Sequence, residues 1–136
     1  MWASSGMFEN EFIYERRVGE RDGVHALGGG IGQGVQMAVG AALAAAGRKT
    51  LCLCGDGGLQ VNIGELATMV QEEIDVKIAV INNGYLGMVR QWQEFFYKRR
   101  YAATPITGPH IEKLAEAYGL WGTTVTKRSD VAVAVE

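Results

Sequence analysis

GDGGLQVNIGELATMVQEEIDVKIAVINNGYLG, from Gly55 to Gly87, contains the strongest structural signal of this chain. Gly-Asp-Gly follows one apolar run, TLCLC (Thr50–Cys54), and Asn-Asn-Gly follows a second, VKIAVI (Val76–Ile81). Runs that are apolar on both faces are typical of buried parallel strands. The segment between them is long enough for a helix, so the stretch predicts a βαβ unit with a right-handed crossover.

The crossover helix is predicted within NIGELATMVQEEI, residues 62–74. Asn62 followed by Glu65 resembles a capping box. Five apolar residues then fall on one helical face: Ile63, Leu66, Ala67, Val70 and Ile74. Both strands of such a unit end at the same edge of the sheet, which is where ligands bind in open α/β sheets. We therefore expect Asp56 to meet the Asn82/Asn83 pair at this edge.

Composition and charge limit the classes of function. A chain of 136 residues suits one domain with a modest core. The net charge of −2, built from residues of both signs, does not indicate a nucleic acid or a membrane as partner. Cys52 and Cys54 alternate within an apolar run without a second cysteine pair, which favours two buried thiols in a cytoplasmic protein. No signal peptide and no run of apolar residues long enough to span a bilayer is visible.

The rest of the chain continues an α/β pattern. VHAL (Val24–Leu27) predicts a short strand, and residues 31–46 predict a helix rich in Ala and Gly that packs closely on a sheet. No element is predicted for residues 1–23, so we expect the domain to occupy residues 24–136. The expected fold class is α/β, a doubly wound parallel sheet with flanking helices. A further strand is expected after SDVAVAVE, so the C-terminal end of this domain is expected to be incomplete.

The predicted sheet edge has the chemistry of a metal and phosphate site. Asp and Asn side chains offer hard oxygen donors that suit Mg²⁺ or Ca²⁺. Glycines flank both loops, where backbone N–H groups can approach a phosphate, and a helix begins near Met88. The edge therefore predicts a magnesium ion that bridges the protein to a diphosphate. Two ordinary βα turns with capping Asp and Asn side chains are the alternative.

Two commoner nucleotide-binding motifs are absent. GGGIGQG, residues 28–34, does not satisfy G-x-G-x-x-G, and GRKT, residues 47–50, is not a Walker A loop. Instead, Gly-Asp-Gly followed by 24 residues and Asn-Asn resembles the binding motif for thiamine diphosphate (ThDP) in ThDP-dependent enzymes. NNGYLGMVRQWQEFFYKRRYAAT, residues 82–104, and GPHIEKLAEAYGLWGTTVTK, residues 108–127, are similar to the large catalytic subunit of bacterial acetolactate synthases.

The resemblance implies a role for particular residues. The side chains of Asp56 and Asn83 and the main-chain carbonyl of Tyr85 are expected to bind Mg²⁺. Trp92 is expected beside the substrate channel. The expected contacts to ThDP come from the cofactor-binding positions of the family: Gly29, Ile31, Gly57, Gly58, Leu86, Gly87 and Met88.

The resemblance also implies an activity. Acetolactate synthases decarboxylate a 2-oxo acid such as pyruvate and condense the product with a second 2-oxo acid. Their activating glutamate lies on a pyrimidine-binding domain, so no catalytic residue is assigned here, and we expect that domain in the same or a partner chain of a homo-oligomer. One domain alone would expose an apolar face. For Phe95 and Phe96, at helical spacing, core packing is favoured.

One segment departs from the sequence pattern of acetolactate synthases, so two alternative functions remain open. Ile31 stands where acetolactate synthases usually carry the methionine of a G-T-M-G segment. GGGIGQG is more similar to other ThDP-dependent decarboxylases. One alternative is therefore another ThDP-dependent 2-oxo acid decarboxylase or lyase. The other is a non-catalytic module that keeps the ThDP fold for assembly with a partner.

Overall fold

The computed structural model describes residues 2–4, 25–27, 31–45 and 47–135. Its centre is a parallel sheet with the strand order β2-β1-β3-β4. The strands are β1 (Trp2–Ser4), β2 (His25–Leu27), β3 (Thr50–Gly55) and β4 (Val76–Ile81). The predicted parallel α/β sheet is confirmed, and β4 has its predicted bounds. β2 covers three of its four predicted residues, and the fourth, Val24, lies outside the described residues. β3 ends one residue later than predicted.

Six α-helices accompany the sheet in the described ranges. They are α1 (Gly34–Ala44), α2 (Asp56–Val61), α3 (Glu65–Gln71), α4 (Gly87–Phe96), α5 (Ile111–Ala117) and α6 (Val131–Val135), with a 3₁₀ turn at Arg128–Asp130. In these ranges, no helix has both the length and the apolar character that a bilayer crossing requires. α1 is shorter than its predicted span of residues 31–46. It starts later because Ile31 and Gly32 form a turn in which Gly32 has a φ of +89°.

Strand β1 lies between β2 and β3, although no element is predicted for residues 1–23. Trp2 pairs with His25 on one side and with Cys52 on the other. A strand of three residues is too short to show the alternation by which strands are recognised. Its position depends on backbone pairing with residues far away in the sequence, which no local pattern displays.

The crossover between β3 and β4 consists of two helices, not one. A turn at residues 62–64 separates α2 from α3. The predicted capping box is wrong, because Gly64 is the N-cap of α3 and the Asn62 side chain points elsewhere. Asn62 Nδ2 donates a hydrogen bond of 2.8 Å to the carbonyl oxygen of Gly32. The side chain thus ties the crossover to the turn before α1.

The predicted apolar face of the crossover helix is partly wrong. Leu66 is buried as predicted, but Met69 is buried as well, whereas Ala67 and Val70 are exposed. Leu66 and Met69, three residues apart, lie on the side of α3 that faces the core, so the buried face is centred differently than predicted. Ile63 and Ile74 are partly buried and pack against the core, as predicted.

The core lies mainly on one face of the sheet. Cys52 and Cys54 of β3 are buried, whereas the alternating Leu51 and Leu53 are only half-buried. The remaining buried apolar residues come from α1, the crossover and β4: Val35, Ala38, Val39, Leu59, Leu66, Met69 and Val76. The two cysteines are free thiols, as predicted. The hydrogen bond with Cys52, burial and the negative charge of Asp56 raise the pKa of the Cys54 thiol, so that it stays protonated.

Candidate functional site

The pairing of β3 with β4 brings two polar loops together at one edge of the sheet. Gly55 pairs with Ile81, so Asp56 and Asn82 are the first residues beyond the paired strands. The amide of Gly84 donates a hydrogen bond of 2.9 Å to Asp56 Oδ2. The loops therefore meet as the strand pattern predicts.

Asp56 is a buried carboxylate that has no cationic partner in the part of the chain that the structure describes. It is 6 % exposed. Among the described residues its one hydrogen bond comes from the Gly84 amide, and no cationic side chain of those residues pairs with it. Burying a carboxylate is costly unless a cation, a metal or hydrogen-bond donors compensate its charge. A bound cation would offset this cost.

Asn83 and Tyr85 form a compact turn next to Asp56. The amide of Tyr85 donates a hydrogen bond of 2.9 Å to Asn83 Oδ1. Such an Asx turn leaves the second lone pair of the amide oxygen available. The described residues contain no group of three or more His, Cys, Asp or Glu side chains that could hold a metal ion. Asp56, Asn83 and a main-chain carbonyl are instead hard oxygen donors, a set that fits Mg²⁺.

Gly57 allows the loop after β3 to pack closely against the loop after β4. A Cβ at this position would lie 3.0 Å from Leu86 Cδ2 and 3.2 Å from Ile106 Cδ1. Gly58 follows in the first turn of α2 and is half-buried. The structure thus brings the predicted cofactor residues Gly57 and Leu86 into one cluster. Gly87 and Met88 continue this cluster as the first two residues of α4.

A segment that the sequence patterns do not predict holds the loop after β4 in place. We call residues 101–106 the return segment, because the chain there turns back along α4. The amide of Leu86 donates a hydrogen bond of 2.8 Å to the Thr104 carbonyl, and the amide of Ile106 donates one of 2.9 Å to the Gly84 carbonyl. Thr104 is completely buried. The Thr-Pro pair at 104–105 was the one local signal, since a residue before proline favours extended backbone.

Of the two residues predicted to lie near the bend of the cofactor, the structure describes one. Ile31 is exposed in the turn before α1, and Gly29 lies outside the described residues. The neighbouring Gly32 packs closely on the crossover, because a Cβ there would lie 2.6 Å from Val61 Cβ. Together with the hydrogen bond from Asn62, this contact determines where Ile31 sits.

The aromatic side chains of α4 are exposed. Trp92 is 56 % exposed, Phe95 69 % and Phe96 68 %. The prediction of core packing for Phe95 and Phe96 is therefore wrong, because no residue of α4 is buried in this chain. The ring centroids of Trp92 and Phe96 are 5.1 Å apart. The expected exposed apolar face is present, and we call these three side chains the aromatic face.

Comparison with known proteins agrees with this geometry. The family described as "Thiamine pyrophosphate enzyme, C-terminal TPP binding domain" matches residues 10–136; thiamine pyrophosphate (TPP) is another name of ThDP. The match includes part of the segment without predicted elements, and the predicted domain boundary at residue 24 stays a prediction.

Individual relatives belong to two kinds of enzyme. The acetolactate synthase large subunit of Cyanidium caldarium is 41 % identical over 110 residues, which cover 79 % of this chain and 19 % of that protein. That of Parasynechococcus marenigrum (strain WH8102) is 35 % identical over 143 residues, which cover 100 % of this chain and 22 % of that protein. A solved thiamine diphosphate-dependent 4-hydroxybenzoylformate decarboxylase from Rhodococcus jostii RHA1 is 33 % identical, with a TM-score of 0.76, and is matched over 82 % of this chain and 21 % of that one.

The chain thus spans about a fifth of the length of these relatives. The family match extends from before β2 to the end of the chain and includes both loops of the site. By this match, and by its parallel sheet with two loops that meet at Asp56 and Gly84, the chain belongs to the thiamine pyrophosphate enzymes and contains their C-terminal TPP binding domain.

Proposed function

We propose that this chain binds the diphosphate of ThDP through Mg²⁺ in an acetolactate-synthase-like enzyme that decarboxylates and condenses 2-oxo acids. The observation that supports the metal site is the buried Asp56 carboxylate, which accepts a hydrogen bond from Gly84 and has no cationic partner among the described residues. Asp56, Asn83 and the Tyr85 carbonyl would hold the ion. Mg²⁺ commonly has few protein ligands and completes its coordination with water and phosphate oxygens.

The diphosphate would lie against Gly57 and the start of α4. The first N–H groups of a helix have no partner within the helix and favour an anion. α4 has ten residues and begins at Gly87, directly after the loop of Asn83 and Tyr85. The close packing of Gly57 on Leu86 keeps both loops at one place, so that one diphosphate can reach the metal and these amides.

Bound ThDP supplies the carbanion chemistry by which carbon dioxide leaves a 2-oxo acid. The residues of this chain anchor and orient the cofactor. Ile31 would support its bend, and Met88, Val89 and Trp92 would form an apolar wall for the acceptor 2-oxo acid and exclude water there. We place this enzyme in the cytoplasm.

A partner completes the site in this proposal. A pyrimidine-binding domain, in the same or a partner chain of a homo-oligomer, would supply the glutamate that activates the aminopyrimidine. The exposed aromatic face of α4 supports this, because a large exposed apolar patch is typical of an interaction surface.

A specific observation favours a second candidate, a decarboxylase without carboligation. The chain is 33 % identical to the solved 4-hydroxybenzoylformate decarboxylase. Ile31 also replaces the methionine that acetolactate synthases usually carry. We prefer carboligation, because the relatives at 41 % identity are acetolactate synthases and because residues 82–104 include the expected substrate wall.

The products of the complete enzyme test this choice. The enzyme that contains this domain is incubated with ThDP, Mg²⁺ and either pyruvate or benzoylformate, and the products are separated by chromatography. We expect acetolactate from pyruvate. Acetaldehyde without acetolactate, or turnover of benzoylformate alone, would establish the decarboxylase. Absence of ThDP binding would instead indicate the non-catalytic module.

A further inference from the structure

Gln93 of α4 pairs with the return segment through both ends of its carboxamide. Gln93 Nε2 donates a hydrogen bond of 2.9 Å to the carbonyl of Ala102. The amide of Ala102 donates one of 3.0 Å to Gln93 Oε1. A side chain that pairs with both backbone groups of one residue determines the position and also the direction of the chain there.

The backbone around this pair is strained. Lys98, Arg99 and Ala103 have φ angles of +52°, +57° and +54°. Left-handed backbone is unfavourable for residues with a Cβ, and it persists only where surrounding contacts impose it. Among the described residues outside this region, Glu73 is the one other non-glycine residue with a positive φ. The strain is therefore concentrated on both sides of Ala102, where Gln93 holds the chain.

The return segment in turn holds the loop of the metal site. Its Thr104 and Ile106 form two backbone hydrogen bonds with Leu86 and Gly84. The Arg90 guanidinium also lies between two rings, 4.1 Å from the centroid of Tyr85 and 5.1 Å from that of Tyr101. Such cation–π contacts are attractive and add to the link between the loop and the segment. A continuous series of contacts thus leads from Gln93 to the residues that flank Asn83 and Tyr85.

We propose that Gln93 is a positioning residue for the metal site. By fixing the return segment, it holds the loop of residues 83–86 in the place where Asn83 and the Tyr85 carbonyl can bind Mg²⁺. The metal part of this inference rests on the proposed function. The control of the loop by Gln93 rests on the contacts alone and is tested separately.

Hydrogen exchange of the full chain without ligand tests the control of the loop. Gln93→Met removes both hydrogen bonds at similar side-chain length, and Gln93→Glu keeps the acceptor but loses the donor. Gln91→Met is the matched control, because the Gln91 side chain makes no hydrogen bond within the described residues. In Gln93→Met we expect exchange in residues 83–87 and 101–106 to be about tenfold faster, as the loss of two hydrogen bonds implies. Gln93→Glu should show a smaller increase, and the control none.

Two results of this experiment would overturn the inference. One is unchanged exchange in residues 83–87 in both Gln93 variants. The other is equal acceleration in β3 and β4, which would mean that Gln93 contributes to general stability and does not position the loop.

Magnesium dependence of the complete enzyme tests the consequence for the metal site. For Gln93→Met we expect the Mg²⁺ concentration for half-maximal ThDP binding to rise about tenfold, the usual size of effect for a group that orients metal ligands. The KM for the 2-oxo acid should stay unchanged. Faster loop exchange with an unchanged Mg²⁺ requirement would overturn the positioning role. A wild-type enzyme that binds ThDP without Mg²⁺ would contradict the proposed function instead, and the exchange experiment would still decide whether Gln93 controls the loop.

Discussion

Gly84 donates its amide hydrogen to Asp56 Oδ2 at 2.9 Å, although the two residues are 28 positions apart in the sequence. The bond joins the loop after β3 to the loop after β4. It satisfies one oxygen of the buried carboxylate and leaves the negative charge uncompensated by any cationic side chain of the described residues. A buried carboxylate in this state favours a ligand site over an ordinary turn.

Asp56→Ala should abolish Mg²⁺-dependent ThDP binding, because it removes the carboxylate from the site. Asp56→Asn should weaken this binding by more than about 100-fold, since a neutral amide is a poorer ligand for a hard cation. The two variants differ in stability. Asp56→Ala leaves the partly buried Gly84 amide without its partner and should lower the free energy of unfolding by about 1 kcal/mol, whereas Asp56→Asn keeps an acceptor.

Calorimetry of the complete enzyme and urea unfolding of the chain measure these two effects. Unchanged ThDP affinity in Asp56→Ala would refute the metal assignment. Equal loss of stability in both variants would show that the charge, and not the hydrogen bond, links the loops.

Asn62→Ala should destabilise the chain by about 1 kcal/mol, because the Gly32 carbonyl loses its hydrogen-bond donor. Urea unfolding measures this change. Asn82→Ala is the matched control, since the exposed Asn82 side chain makes no hydrogen bond within the described residues. If both variants unfold alike, Asn62 does not fasten the turn of Ile31 to the crossover.

The isolated chain should associate in solution and should not turn over pyruvate. Its aromatic face exposes Phe95 and Phe96, and water contact with such a patch is unfavourable. Phe95→Glu should shift the weight-average mass in analytical ultracentrifugation towards the monomer. Val133→Glu, at an equally exposed apolar residue outside this face, is the control. A wild-type monomer that releases carbon dioxide from pyruvate would contradict this prediction.

In the complete enzyme, Trp92→Leu should change the preference for the acceptor 2-oxo acid by about 1–3 kcal/mol, the usual range for an altered apolar pocket. ThDP affinity should remain unchanged, because Trp92 lies on α4 beyond the residues expected at the diphosphate. Competition between two acceptor acids measures the preference. Trp121→Leu makes the same change at another exposed tryptophan and should have no effect. A loss of ThDP affinity in Trp92→Leu alone would place Trp92 at the cofactor instead.

The stability of the chain should fall above about pH 8.5, the ordinary pKa of a cysteine thiol. The hydrogen bond between the two thiols lowers the pKa of Cys52, so above its unfolded pKa this thiol is ionised in both states and adds no slope. The same bond, burial and the charge of Asp56 raise the pKa of Cys54 in the folded chain. Between the two pKa values the unfolded chain has lost a proton that the folded chain retains, so rising pH favours unfolding. The contribution is complete below the unfolded pKa and declines by at most about 1.4 kcal/mol per pH unit above it.

Urea unfolding at pH 8 and at pH 10 measures this effect. The double variant Cys52→Val/Cys54→Val keeps apolar side chains of similar size and removes both ionisable thiols of the hydrogen-bonded pair. Its loss of stability between the two pH values should be smaller than that of the wild type. The same slope in both proteins would assign the alkaline loss to other groups.

The local sequence was sufficient to predict the elements that have an apolar pattern of their own. The apolar run Val76–Ile81 became β4 with unchanged bounds, and the run before Gly55 became β3. Because two parallel strands joined by a crossover must end at the same edge, the meeting of Asp56 with the Asn-Asn-Gly loop also followed from the sequence. The length of the crossover makes this spacing specific to the family.

Contacts between residues that are distant in the sequence determined the features that local patterns did not predict. The position of β1 depends on its pairing with β2 and β3, and the burial of Met69 in place of Val70 depends on which side of α3 faces the core. Asn is a residue type that often caps helices, but the side chain of Asn62 donates its hydrogen bond to the nearby Gly32 carbonyl instead. Likewise, Gln93 looks like an ordinary helix-surface residue until the strained turn after α4 brings Ala102 beside it. Local patterns report the periodicity of a segment, whereas hydrogen-bond partners and burial arise only when the chain has folded.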